Sequence, residues 1–399
     1  MSMLFGPGRQ RTSMRRWVES LSPEIAKIPR PSDAPQVHSA GVDADRILIA
    51  GTGLALGYGA ATHDEALPGT LARALSDVTG RGTDVDVIPD PHMTVRSAAA
   101  RLAEARLWRF DLLVLTLGIN ESLDLEPARE WRRSLRTLLT ALEPAMVGGS
   151  RIALLDVGPI ESLSVFSGPR AAQVDAHSAA LDAASEEVAA EFESVRFVRL
   201  SPPRTEFGAV ADELVDAILD DVNSARAVNR SLPSGPAGSD SASRDDQRQR
   251  ALEELGILDT PPEDRFDRIV DMAQRLFGTD GAAFTIIDGG RVWHKARINV
   301  PEEVPRDASF CDMTIRGRGI HVIPDIAKAT ELPADLSTAK DIGVAFYAGY
   351  PVESPSGEPI GALCVFDAKP RLRANVDEGL LRQLALLIQA ELRVESLSA

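Results

Sequence analysis

The sequence holds only two cysteines, Cys311 and Cys364, in 399 residues. Two thiols make no disulfide framework and fall short of the four thiolates of a structural zinc site, so a reducing, cytoplasmic setting is expected. Long apolar runs are also missing. Ile47 to Ala50 and Leu112 to Leu117 are far below the roughly 18 to 20 residues that cross a bilayer, so no membrane-spanning helix is expected. The N-terminus has arginines but no apolar stretch of about 7 to 15 residues with a cleavage site after it, so it does not read as a secretory signal. Positive charge is short: 43 Lys and Arg face 59 Asp and Glu, for a net charge of −16. Such a body repels nucleic acid and anionic membrane at long range, and neither is an expected partner. The beginning differs, because Arg9, Arg11, Arg15, Arg16, Lys27 and Arg30 outnumber Glu19, Glu24 and Asp33. Residues 1–45 therefore read as a basic, flexible segment.

With 44% hydrophobic and 26% charged residues, the rest is ordinary globular composition, and its length suits two folded units at roughly 100 to 200 residues each. Residues 46–224 alternate short apolar runs with amphipathic stretches. Strands are predicted at 46–50, 85–88, 111–117, 151–157 and 195–200, and helices at 67–78, 95–108, 127–142, 170–192 and 209–222. Pro127 suits a first helical position. This β-α alternation implies an α/β domain with an open parallel sheet. Residues 225–246 are rich in Gly, Pro and Ser and read as a linker. From 247 to 395 two helices (246–255 and 263–277) precede strands at 282–288, 291–296, 319–323, 345–352 and 360–366, the order of an α+β domain with an antiparallel sheet. A closing helix near 376–394 carries Leu380, Leu384, Leu387, Ile388 and Leu392, a stripe suited either to its own sheet or to a second copy.

The glycine cluster Gly51-Thr52-Gly53-Leu54 through Gly59 follows the first strand. A dinucleotide site would open a helix directly there and place an acid about 20 residues on. Here the helix waits until Leu67 and the candidate acid, Asp90, is too distant. Taken with Pro91-His92-Met93-Thr94 and Leu117-Gly118-Ile119-Asn120-Glu121, the cluster instead resembles the SGNH (GDSL-type) hydrolase family. The resemblance covers about residues 46–223 and implies a flavodoxin-like sheet. It puts Gly53 where the family has its nucleophilic serine, His92 at the oxyanion glycine, and Leu200 and Pro203 at the aspartate and histidine of the triad. Asn120 alone is kept, as an oxyanion ligand or as the cap of a turn. Without nucleophile, base or base-orienting group, acyl transfer has no route. A pseudoenzyme pocket of Gly51, Thr52, Gly53, His92 and Asn120 is expected, with an esterase of rearranged site as the alternative. His63, His92 and Glu121 are weighed as a metal site and set aside, since loop histidines are commonly solvated; His177 reads as a surface residue.

The second half carries Asp259-Thr-Pro-Pro, Pro305-Arg-Asp-Ala-Ser-Phe310-Cys311, Val322-Ile-Pro-Asp325, Phe346-Tyr347-Ala-Gly-Tyr-Pro-Val352 and Gly361-Ala-Leu-Cys364-Val-Phe-Asp367. In this order they resemble the GAF domains of bacterial signalling proteins. The resemblance implies a sensor of small molecules that dimerises through its terminal helices, with a pocket roofed by residues 297–345. Trp293, Phe310, Cys311, Phe346 and Tyr347 are the candidate lining, or else the core that fills it. Cys311 and Cys364 are open to three readings: redox partners, a chromophore attachment point, or small buried apolar groups. A GAF-type sulfoxide reductase would need more cysteines, and neither His294 nor His321 stands in a haem-ligand context. The expectation is a dimeric sensory or regulatory protein with no assigned cofactor or metal. No output domain is expected after the last helix, so its output would act through a protein partner docked on an inactive first domain.

Overall fold

The computed structural model describes residues 7–103, 105–146, 149–160, 165–229, 241–317, 319–330, 332–335, 337–341 and 343–396. Two compact units divide the chain, Met1–Leu232 and Pro233–Ala399. The middle of the expected linker lies outside the described residues.

The first unit runs α1 (Pro7–Ile25), β1 (Gln36–His38), β2 (Asp45–Gly51), α2 (Leu67–Thr79), β3 (Thr83–Pro89), α3 (Ala98–Leu102), β4 (Leu112–Thr116), α4 (Ile119–Leu123), α5 (Ala128–Leu142), β5 (Arg151–Leu155), α6 (Pro169–Ala189), β6 (Val195–Val198) and α7 (Phe207–Asn229). Its sheet has the order β1-β3-β2-β4-β5-β6. Alternation along the strands splits the apolar side chains into two cores. Ile47, Ile49, Val85, Val87, Leu112 and Val114 pack under α2 and α7; Leu48, Ala50, Leu113, Leu115, Ile152 and Leu154 pack under α3, α5 and α6. Covered on both faces, β4 is buried at every position, which is why its sequence is a continuous apolar run.

Four expectations are corrected here. The sheet is mixed rather than parallel, because β1 pairs antiparallel with β3, Val37 opposite Val85. The segment 1–45 is no flexible tail over its described part. Met14 is buried, and Trp17, Leu21 and Ile25 on α1 pack with it against Ile160, Phe166 and Val174, while Arg15 holds Asp124 through Nε and Nη2, each at 2.8 Å. The helix expected over 95–108 shrinks to α3, because Arg106 takes a left-handed conformation at φ 50° that a continuous helix does not allow. Pro127 caps α5 from outside rather than opening it.

The second unit runs α8 (Ser241–Leu255), α9 (Asp264–Phe277), β7 (Gly281–Asp288), β8 (Arg291–Ile298), β9 (Glu303–Pro305), α10 (Phe310–Thr314), β10 (His321–Ile323), α11 (Ser337–Asp341), β11 (Phe346–Glu353), β12 (Pro359–Asp367) and α12 (Glu378–Ser396). Its six strands are antiparallel in the order β10-β11-β12-β7-β8-β9. One face is packed by α8, α9 and α12 around Phe266, Phe284, Phe346 and Leu384. The other is covered by α10 and the shorter elements around Cys311, Tyr347 and Cys364. The α12 stripe serves its own sheet: Leu381, Leu384, Ala385, Ile388 and Leu392 are buried, Leu380 packs against the same core, and Leu387 points outward, 47% exposed.

Candidate functional site

In the first unit the parallel strand order reverses direction between β2 and β4, and open α/β sheets bind ligands in the crevice beyond such a point. A cavity of about 300 Å³ lies there, at the lower end of small-molecule sites. Thr52, Gly53, His92 and Asn120 all line it, so four of the five residues singled out in the first domain come together. Gly51 ends β2 behind them, its carbonyl accepting from Asp90 N at 3.0 Å.

Gly53 has φ +54°, and a Cβ there would stand 2.8 Å from Ile119 Cδ1, so the position that the SGNH resemblance gives to the nucleophile carries no side chain. Asn120 donates through Nδ2 to the carbonyls of Pro91, at 3.0 Å, and Met93, at 2.8 Å. Both amide hydrogens are thereby spent on the loop that carries His92, leaving none for an oxyanion. Asn120 therefore staples two loops instead of capping a turn.

Glu121, beside it, is buried and accepts from Val95 N at 2.7 Å. Its Oε2 has no partner, and burial pushes its pKa up to about 7. His63 is buried against Asp33, Nδ1 to Oδ1 at 2.8 Å, and His177 donates through Nε2 to Glu126 O at 2.7 Å and is half-buried, not a plain surface residue. Among the described residues no group of three His, Cys, Asp or Glu is placed to hold a metal.

Most of the cavity wall comes from residues outside any sequence motif. Val18 and Ile25 of α1, Leu54, Leu56, Leu123, Ile160, Phe166 and Phe207 make it apolar, while Asp156, Arg204 and Thr205 form a polar corner. Arg204 donates to Asp156 Oδ2 at 2.5 Å, to Asp156 O at 3.0 Å and to Leu200 O at 3.0 Å. Its Nε, buried, has no partner.

In the second unit the five proposed lining residues are divided by the sheet. Phe346 and Tyr347 are neighbours on β11 and so face opposite ways. Trp293 and Phe346 belong to the core under the helices, whereas Phe310, Cys311 and Tyr347 lie together on the other face, the rings of Phe310 and Tyr347 5.2 Å apart. The cavity beside them is about 60 Å³, room for about two waters. Cys311 Sγ is 3.7 Å from Cys364 Sγ and 3.4 Å from the Tyr347 hydroxyl. His294, also on this cavity, donates through Nδ1 to Pro301 O at 2.8 Å, and burial holds its pKa down near 4. His321 packs edge-on against Tyr347 at 5.8 Å.

Residues 261–392 match the family model of the GAF domain. The second unit carries a GAF domain. A cyclic di-GMP phosphodiesterase of Pseudomonas aeruginosa is 31% identical over 147 residues, 36% of this chain and 25% of that protein, so the chain spans a quarter of the length of this curated relative. Among solved structures it is similar to the free methionine-R-sulfoxide reductase of Neisseria meningitidis in complex with its substrate (15% identity, 41% of this chain and 96% of that one, TM-score 0.29). It is also similar to the GAF domain of an Acinetobacter phosphoenolpyruvate-protein phosphotransferase (14% identity, 40% and 99%, TM-score 0.28). Scores this low bear on neither fold nor chemistry. The GAF domain itself suggests a sensory or regulatory role. Among the described residues no helix is long and apolar enough to cross a membrane.

Proposed function

We propose that the chain is a cytoplasmic sensory or regulatory protein in which the GAF domain is joined to a catalytically inactive, SGNH-like domain that binds a small molecule without turning it over. One observation carries the reading: a cavity of about 300 Å³ stands where an α/β sheet holds its substrate, and the position of the nucleophile within it is Gly53. The order β3-β2-β4-β5-β6 of the parallel strands supports the flavodoxin-like relationship. The apolar walls, with one polar corner at Asp156, Arg204 and Thr205, favour a short amphipathic ligand, an apolar body with one polar group. The 147-residue likeness to a cyclic di-GMP phosphodiesterase supports a place in signalling, and homodimerisation belongs to the same proposal. The test is turnover of a nitrophenyl ester by the full chain. Release at the buffer rate is expected; catalysed release that disappears with Asn120→Ala would replace this reading with an esterase of rearranged site.

A further inference from the structure

The GAF cavity is too small for a metabolite and is bordered by both thiols of the chain. Cys311 lies on the five-residue helix α10, whose start is capped by Ser309 Oγ accepting from Cys311 N at 3.1 Å. Cys364 lies in the middle of β12, between Gly349 of β11 and Ala283 of β7. The missing side chain at Gly349 is part of the arrangement. A Cβ there would fall 2.2 Å from the Tyr347 hydroxyl, so glycine lets the tyrosine lean along its own strand to reach Cys311 and, at 2.7 Å, Thr314 Oγ1. A thiol pair, a phenol directed at one of them and a void open to both make more than a patch of core.

We propose that Cys311 and Cys364 are an oxidation site for small peroxides, which convert them into an intramolecular disulfide. Cys311 Sγ, as thiolate, attacks one peroxide oxygen: an S–O bond forms, the O–O bond breaks, and the other oxygen leaves as water or alcohol with the proton that Cys311 released. Cys364 Sγ then attacks the sulfenic sulfur. An S–S bond forms, the S–O bond breaks, and the hydroxyl leaves as water with the Cys364 proton. The sulfurs together lose two electrons and the peroxide gains them.

Cys311 is the first to react because the Tyr347 hydroxyl is directed at its Sγ, at 3.4 Å. The Cys364 thiol and the hydroxyls of Thr285, Tyr347 and Ser309 lower the Cys311 thiol against the opposing effect of burial, while Cys364 is raised by its hydrogen bond to Cys311 and by burial. A sulfenic acid formed 3.7 Å from a second sulfur is resolved before further oxidation. Closing to the roughly 2.0 Å of a disulfide is a rotamer change helped by a small slide of α10. This chemistry is independent of the ligand cavity in the first unit, and its failure leaves that reading intact.

The experiment uses the full chain, reduced, desalted and exposed to hydrogen peroxide, then denatured in N-ethylmaleimide and weighed intact. The expected product has lost the mass of two hydrogens, takes up no maleimide, gives a linked peptide containing Cys311 and Cys364, and is restored by dithiothreitol. Cys364→Ala is expected to halt at a sulfenic acid that dimedone traps on Cys311. Should that variant fail to fold, the wild-type masses alone decide. Two maleimides per chain after peroxide, or a disulfide formed only between chains, would overturn the proposal.

Discussion

At the scale of single residues, the most informative group is a buried carboxyl. Glu121 has a folded pKa of about 7 against an ordinary 4.5, raised by burial, and Asp182, whose carboxylate accepts from Val157 N at 2.7 Å, is raised to about 6 for the same reason. A carboxyl that holds its proton more tightly when folded contributes stability that is fully present below its unfolded value and is lost as pH rises through its folded one. For Glu121 the loss is on the order of 3 kcal/mol between about pH 4.5 and 7. Asp90, held down by the His92 amide, and Asp124, held down by Arg15, have the opposite sign but change only below their ordinary range. Urea unfolding at pH 5 and 7.5 is therefore expected to show the first unit less stable at the higher pH, with a shallower dependence in Glu121→Gln. Equal slopes in the two proteins would rule out Glu121 as the cause. Little of this was legible in sequence. The Asn120 motif falls on the cavity wall, yet its hydrogen bonds to Pro91 and Met93 span 29 and 27 residues, and Arg204 meets Asp156 across 48; no local pattern encodes such pairs. The assignment of Phe346 and Tyr347 to one pocket was avoidable, because the two-residue period of a strand already separates them.

Among elements, those that bury two faces are easiest to read. The continuous apolar runs of β2, β4 and β5 announce a doubly covered sheet, and α5 and α9 show their stripes openly. The strands β1 and β9 are three residues each, too short for any periodicity. The helix α1 was obscured by its charge: Met14, Trp17, Leu21 and Ile25 recur at helical spacing, but the arginines around them dominate the composition. Because α1 also gives Val18 and Ile25 to the ligand cavity, its docking is part of the site. Met14→Ala removes a buried side chain at the centre of that contact, and a loss of about 2 kcal/mol is expected, the lower end for such truncations since a small helix can undock instead of keeping a void. An unchanged urea midpoint would mean that α1 does not rest there in solution.

The whole molecule has a sheet-edge cavity of about 300 Å³ in the first unit and a cavity of about 60 Å³ in the GAF domain. On the reading proposed above, ligand binding falls to the first unit and the response to smaller species to the second. The most direct test is native mass spectrometry of the full chain mixed with nitrophenyl hexanoate, an uncharged probe with an apolar chain and an acceptor carbonyl. The account predicts a non-covalent complex carrying the intact ester, persisting without release of nitrophenol and lost when Leu123→Trp fills the cavity. A covalent hexanoyl adduct, accelerated hydrolysis, or no complex at any ester concentration would contradict it.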